Sequence, residues 1–123
     1  GVNEIRSGAF KSNGDRFLWG IQAAVKEAND TGGLLGNKIE LVVEDNQMKG
    51  EVAVQKLKKM ILKDDCQIII QGSSSGVGGA LTQQMPRYKR IYLDVAAEAV
   101  ANPAATQDLR APTRDYRRNR GHL

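Results

Sequence analysis

Residues 67–76 read Gln-Ile-Ile-Ile-Gln-Gly-Ser-Ser-Ser-Gly, a short apolar run that passes directly into glycines and serines. Three consecutive isoleucines are typical of a strand that is covered on both sides within a parallel sheet. The following glycines and serines favour a turn into a helix, because serine accepts hydrogen bonds from the free N–H groups of a first helical turn. This stretch therefore predicts one strand, loop and helix unit of an α/β fold.

The same alternation extends to both sides of this unit. Apolar β-branched runs predict strands, and apolar residues spaced three and four apart predict helices, the first of which starts at a Ser12-x-x-Asp15 capping box. The predicted strands are 2–5, 38–44, 67–71 and 90–94, and the predicted helices are 12–28, 50–63 and 76–85. This β-α-β-α-β-α-β order predicts right-handed crossovers and a doubly wound parallel sheet, an α/β sandwich of three layers.

Length and composition fit one compact domain. The chain has 123 residues, of which 41% are hydrophobic, and this size is ordinary for a single domain. We expect no membrane span and no signal peptide in this chain, because no run approaches about 18 consecutive apolar residues. The single Cys66 cannot form an internal disulfide or a cysteine-rich zinc site, so we expect no metal and no cofactor.

The net charge of +4 does not indicate a nucleic-acid-binding surface. Residues 1–100 carry 13 basic and 12 acidic side chains, whereas residues 101–123 carry five arginines and two acids. A DNA-binding domain concentrates its basic residues on one face of a packed element. Because the excess lies in the tail instead, we expect no nucleic acid partner.

A ligand site is expected where the parallel strands end. In open parallel sheets, ligands bind outside the carboxyl ends of the strands. Four loops lie at that edge, at 6–13, 45–49, 72–76 and 94–98. The loop Gly72–Gly76, here called the serine loop, is the most distinctive. Its hydroxyls and the N–H groups of the following helix suit a carboxylate or a phosphate, although serines there can also simply cap the helix.

Three nucleotide-binding and signalling motifs fail at these loops. A P-loop needs a lysine after its last glycine, but Gly76 is followed by valine. The Rossmann pattern lacks its third glycine, since Leu81 holds that position. A receiver domain would need acids after the first strand and an aspartate after the third, where the sequence has Arg6 and Gln71.

The serine loop also matches Gly-x-Ser-x-Gly, the nucleophile elbow of α/β-hydrolases, in a strand–turn–helix context. Ser74, Asp94 and His122 occur in the chain order of such a catalytic triad. An esterase that uses Ser74 is therefore an alternative to a binding site. Against it, the chain has no other histidine, and no His-Gly-Gly segment precedes the elbow.

Several segments together resemble a known family. They are Ser-Gly-Ala-Phe at 7–10, Trp-Gly-Ile at 19–21, Asn-Asp-Thr-Gly-Gly-Leu-Leu-Gly at 29–36 with its acid-rich continuation to 47, and the serine loop. In this order they resemble the N-terminal lobe of branched-chain-amino-acid-type periplasmic solute-binding proteins, the type I periplasmic-binding fold. The resemblance covers residues 1–101 as a partial lobe with a truncated first strand. Residues 102–123 would then be an arginine-rich tail or the start of the hinge region.

The resemblance implies a function. Such proteins have two lobes joined by a hinge, bind one small solute in the cleft between them and deliver it to an ABC permease. They are not enzymes, and they work in the periplasm or elsewhere outside the cytoplasm. This chain would be the substrate-binding component in part, with one lobe and half of the cleft.

The resemblance also implies site residues. Ser75, flanked by Ser74 and Gly76, falls where the ligand carboxylate is received. The loop Ala96-Ala97-Glu98 falls where a backbone carbonyl and a side-chain oxygen accept from the ligand ammonium, and Asn13 falls where an aromatic ring often closes over the solute.

Two of these positions depart from the family pattern. Members that bind aliphatic amino acids tend to have a hydroxyl residue at the place of Glu98, and Asn13 is not aromatic. The ligand is therefore expected to be a small polar solute, either an amino acid or a related carboxylate or amide, and the Glu98 carboxylate could instead hold a cation or a hydroxyl-bearing solute. A third possibility is a non-catalytic interaction domain, which would form homo-oligomers through the face that the second lobe would cover.

Overall fold

Four parallel strands form a single sheet in the computed structural model, which describes residues 1–95. The strands are β1 (Val2–Glu4), β2 (Val43–Asp45), β3 (Ile68–Gln71) and β4 (Ile91–Asp94), in the order β2-β1-β3-β4. Val2 of the central strand β1 lies opposite Val43 of β2 and Ile70 of β3. The predicted parallel sheet is confirmed.

Three helices connect the strands. They are α1 (Lys11–Asp30), α2 (Gly50–Leu62) and α3 (Ser75–Gln84), the last followed by a 3₁₀ turn at Met85–Arg87. The path from β1 to β2 runs in one direction across the sheet, and the next two connections run in the other. Right-handed crossovers then place α1 on one face and both α2 and α3 on the opposite face. The predicted doubly wound α/β sandwich is therefore confirmed.

The hydrophobic core lies between the sheet and the layer of α2 and α3. Its members are Ala53, Leu57, Met60, Ile61, Cys66, Ile69, Val77 and Leu81. On the other face, α1 buries only Gly14 and Leu18. None of the helices in the described part of the chain combines the length and the hydropathy that a lipid bilayer demands.

The predicted start of α1 is wrong. The helix begins at Lys11, its N-cap is Phe10, and no side chain caps it, so Ser12 lies inside the first turn and forms no capping box. Asp15 forms ion pairs with Arg6 and Lys11 instead.

Two strand predictions also need correction. The second strand is shorter than 38–44, because the Asn29 side chain hydrogen-bonds the N–H (2.8 Å) and the carbonyl (3.0 Å) of Ile39 and ties this backbone to the end of α1. The isoleucines of β3 are not covered on both sides, since Ile69 is buried but Ile70 is only half-buried. The predicted domain boundary at residue 101 lies outside the described residues.

Candidate functional site

The serine loop connects β3 to α3 at the carboxyl edge of the sheet. Ser74 has an extended backbone (φ −147°, ψ 119°) and is the N-cap of α3. Its hydroxyl accepts a hydrogen bond from the Val77 N–H at 3.3 Å, and its carbonyl accepts from the Gly78 N–H at 2.9 Å. Ser74 therefore has the capping role that serine commonly plays at a helix start.

The first three amides of the serine loop point into the protein. The Gly72 N–H donates to Glu4 Oε1 at 2.5 Å. The N–H groups of Ser73 and Ser74 both donate to Gln71 Oε1, at 3.0 and 2.9 Å. These amides already have protein acceptors, so a ligand cannot use them without displacing a buried side chain.

The next two amides are open. Within residues 1–95, no protein oxygen accepts from the N–H of Ser75 or of Gly76, and both residues are exposed. They occupy the first turn of α3, where the helix dipole places partial positive charge. Together with the Ser75 hydroxyl, they offer three donors to one anionic group. This arrangement suits a carboxylate.

Polar side chains from three strands lie beneath the serine loop. Glu4 of β1 is fully buried, and its carboxylate also accepts from the Ser73 hydroxyl and from the Ile5 N–H at 3.3 Å. Burial raises the pKa of Glu4 above that of an ordinary glutamate, although these hydrogen bonds stabilise the charged form. Gln71 of β3 donates from Nε2 to Asp94 Oδ1 of β4 at 3.1 Å.

Asp94 joins the last strand to this group. It also accepts from the Tyr92 hydroxyl at 2.9 Å, and burial together with the Asp94 carboxylate raises the pKa of Tyr92. A Cβ at Gly78 would collide with the Asp94 carboxylate. Glycine at this position therefore lets α3 approach the end of β4.

The ends of β1 and β2 form the other half of this edge. Asp45 Oδ1 accepts from the N–H groups of Arg6 at 3.0 Å and Gln47 at 2.9 Å. Burial opposes ionisation of Asp45, but hydrogen bonds from Ser7 and these amides outweigh it and lower its pKa. Among the described residues, no three His, Cys, Asp or Glu side chains come together as a metal site.

The structure describes four of the seven predicted site residues. Ser75 and Gly76 lie at the open start of α3, and Ser74 lies directly behind them as its cap. Asn13 lies in the first turn of α1, exposed, and within residues 1–95 its side chain hydrogen-bonds nothing. Ala96, Ala97 and Glu98 lie outside the described residues.

Sequence reasoning missed Glu4 and Gln71 as parts of this site, and it considered Asp94 only as the first residue of the 94–98 loop and as the acid of the alternative triad. A signal was present, because each of the three is a polar residue at the carboxyl end of a strand. The backbone of Ser74 is not that of a nucleophile elbow. A nucleophile elbow holds its serine on a sharp, strained turn, whereas Ser74 has ordinary extended backbone and its hydroxyl is engaged by the helix cap. His122, the third residue of that hypothesis, lies outside the described residues.

Comparison with known proteins identifies the family. A model of the periplasmic binding protein family matches residues 1–116. Leu/Ile/Val-binding protein homolog 4 of Brucella abortus is 34% identical over 104 residues, which is 79% of this chain and 25% of that protein. Its counterpart in Brucella suis matches equally well.

Two solved structures share the fold. The leucine-, isoleucine-, valine-, threonine- and alanine-binding protein of Brucella ovis, in a closed conformation, has a TM-score of 0.69 and 35% identity over 80% of this chain and 27% of that chain. A candidate branched-chain amino acid ABC transporter from Silicibacter pomeroyi has a TM-score of 0.74 and 31% identity over 80% and 25%. The chain thus spans about a quarter of the length of these relatives. It belongs to the periplasmic binding protein family.

Proposed function

We propose that this chain is part of the solute-binding protein of an ABC transporter and that it receives the carboxylate of an amino-acid-like solute at the start of α3. The observation that carries the proposal is the pair of open N–H groups of Ser75 and Gly76 beside the Ser75 hydroxyl. The names of the relatives, which describe Leu/Ile/Val binding, support an amino acid as the solute.

The rest of the solute would lie along the same sheet edge. Strands β3 and β4 are neighbours in register, with Gln71 opposite Asp94. The loops that follow neighbouring parallel strands leave the same edge of a sheet, and Ala96, Ala97 and Glu98 follow β4 in the sequence. We propose that this loop receives the ammonium group, for which the Glu98 carboxylate is a strong acceptor. The exposed Asn13, in the first turn of α1, would contribute a further polar side chain to this edge.

The proposed partner is the membrane permease, and the proposed location is the periplasm or another compartment outside the cytoplasm, as membership of this family implies. The solute site is exposed in the described residues, so a ligand would keep much of its surface in water. We expect dissociation constants in the millimolar range, or about 4 kcal/mol of binding free energy.

An amide NMR titration of the chain tests the proposal. L-leucine and isocaproate, which has the same carbon chain and carboxylate without the ammonium, are expected to shift the Ser75 and Gly76 amides. Isoamylamine, which lacks the carboxylate, is expected to leave both unchanged. If isoamylamine shifts the two amides as much as L-leucine does, or if none of the three compounds shifts them, the proposal is contradicted. Hydrolysis of a chromogenic ester that is lost in Ser74→Ala would establish the esterase alternative instead.

A matched pair of variants at one position separates the backbone donor from the hydroxyl. Ser75→Pro removes both the N–H and the hydroxyl, and proline is tolerated at the first helical position after the extended Ser74. Ser75→Ala removes the hydroxyl alone. Both bonds would go to the charged carboxylate, so we expect Ser75→Ala, which removes one, to weaken leucine binding by about tenfold and Ser75→Pro, which removes two, by roughly 100-fold. Equal effects of the two variants would contradict a role for the backbone donor.

A further inference from the structure

The buried carboxylate of Glu4 is the least expected feature beneath the serine loop. Glu4 lies on the central strand with a fully buried side chain, two residues from the buried Val2. An ionised group in such a place costs several kcal/mol of folding free energy unless hydrogen bonds satisfy its oxygens. An apolar side chain would cost less, so stability alone does not account for a carboxylate here.

The serine loop is held from both faces of the sheet. Side chains alternate along a strand. Asn3 donates to the Ala53 carbonyl of α2 at 2.9 Å, which places the next residue, Glu4, on the α1 face. Ile69 lies in the core under α2 and α3, which places Gln71, two residues on, on that opposite face. Gly72 confirms the second assignment: a Cβ there would lie 2.6 Å from the Phe17 ring of α1, so its neighbour Gln71 faces the other way.

The two side chains divide the amides of the loop between them. Glu4 accepts from the Gly72 N–H at 2.5 Å and from the Ser73 hydroxyl, and Gln71 accepts from the N–H groups of Ser73 and Ser74. Gln71 is itself fixed by its donation to Asp94 at 3.1 Å. The N–H groups before the helix and the Ser73 hydroxyl are therefore turned inward, and the first N–H groups that face outward are those of Ser75 and Gly76.

We infer that Glu4 is a positioning residue of the ligand site: its carboxylate holds Gly72 and Ser73 inward, so that an incoming carboxylate is received at Ser75 and Gly76 alone. The inference rests on the proposed function. Glu4 does not touch the ligand. Its negative charge lies below the loop and opposes the entry of a second anion towards Gly72, and its bonds remove the Gly72 amide and the Ser73 hydroxyl from the donors that a ligand can reach.

The first test needs no ligand. The Gly72 amide donates to Glu4, so its NMR shift is expected to follow the ionisation of that carboxylate with a pKa above the ordinary glutamate value. The dependence is expected to persist in Ser73→Ala and to vanish in Glu4→Gln. The pKa of Asp45 is lowered and that of Tyr92 is raised, so both differ from that of Glu4. The Glu4→Gln variant separates the effect of Glu4 from that of Asp94, the other carboxylate beneath the loop. A Gly72 amide that does not titrate in the unaltered chain, or that titrates unchanged in Glu4→Gln, would overturn the inference.

The second test maps where L-leucine acts. In the unaltered chain and in Ser73→Ala, the shifts are expected to be confined to Ser75 and Gly76. In Glu4→Gln, they are expected to spread to Gly72 and Ser73. An unchanged map in a Glu4→Gln protein that melts cooperatively would overturn the inference, because destabilisation alone does not move a binding map.

Two further outcomes separate the inference from the function on which it rests. If L-leucine shifts no amide in the unaltered chain, the proposed function fails, and the Gly72 titration still decides whether Glu4 fixes the loop. If Glu4→Gln does not fold, the decision passes to the unaltered chain and Ser73→Ala, in which the Gly72 amide must titrate for the inference to hold.

Discussion

The two faces of the sheet are packed very differently. Helix α2 has 13 residues and buries Ala53, Leu57, Met60 and Ile61, whereas α1 has 20 residues and buries only Gly14 and Leu18. At β4, the alternate residues Ile91 and Leu93 remain 57% and 48% exposed, and they point away from the face on which Tyr92 packs against the core. Within the described residues, the α2–α3 layer therefore carries most of the stability.

Truncation of core leucines should show this difference most strongly. Leu57→Ala in α2 is expected to cost about 3–5 kcal/mol of unfolding free energy and Leu18→Ala in α1 about 2–3 kcal/mol, because the cost grows with the cavity that remains. Leu62→Ala, at an exposed position of α2, should stay within about 0.5 kcal/mol. Urea unfolding of the three variants measures these values. A Leu18→Ala protein that is less stable than Leu57→Ala would reverse the comparison.

The two glycines of α1 differ in how closely they approach the rest of the protein. A Cβ at Gly14 would collide with the backbone carbonyl of Ile5, whereas a Cβ at Gly20 meets nothing within 4 Å. We expect Gly14→Ala to destabilise the chain by about 3 kcal/mol through overpacking. Gly20→Ala should stabilise it by roughly 0.5–1 kcal/mol, because alanine is the better helix former. Thermal unfolding of both variants measures these changes in stability. Equal effects would mean that α1 does not pack closely against Ile5 at the end of β1.

Two glutamates on opposite faces of the sheet should contribute to stability with opposite pH dependence. A hydrogen bond from Lys59 Nζ, at 2.6 Å, lowers the pKa of Glu44, whereas burial raises the pKa of Glu4. The contribution of Glu44 to stability is thus present above the pKa of an unfolded glutamate and is lost as the pH falls through the lowered value. The contribution of Glu4 is present below the unfolded value and is lost as the pH rises through the raised one.

Unfolding curves at about pH 7 and pH 4, which bracket the ordinary glutamate pKa, measure these opposite signs. From neutral to acid pH, the stability advantage of the unaltered chain over Glu44→Gln should shrink. Over the same interval, the stability of the unaltered chain relative to Glu4→Gln should increase. Parallel trends for the two variants would show that the carboxylates do not differ in their surroundings.

Local patterns in the sequence predicted the element order, the ends of α2 within a residue and the serine loop. These depend on periodicity and turn residues, which neighbouring residues determine. The start of α1 and the short β2 depend on contacts between distant residues, Asp15 with Arg6 and Asn29 with Ile39, which no local pattern contains.

The same limit applies to the site. The exposed N–H groups of Ser75 and Gly76 were predictable, because a serine-rich strand-to-helix turn places N–H groups at the helix start. The roles of Glu4 and Gln71 were not, because they depend on β1 lying beside β3 and on which amides then face each side chain. A polar residue at the end of a strand is visible in the sequence, but its partner is decided by the order of the strands.

The most direct test of the central claim is an amide NMR titration with L-leucine and L-leucinamide, which differ only in the carboxylate. L-leucine is expected to shift the Ser75 and Gly76 amides, and L-leucinamide, at the same concentrations, is expected to shift neither. Equal shifts with both compounds, or leucine-dependent shifts that leave these two amides unchanged, would contradict the claim that the start of α3 receives a carboxylate.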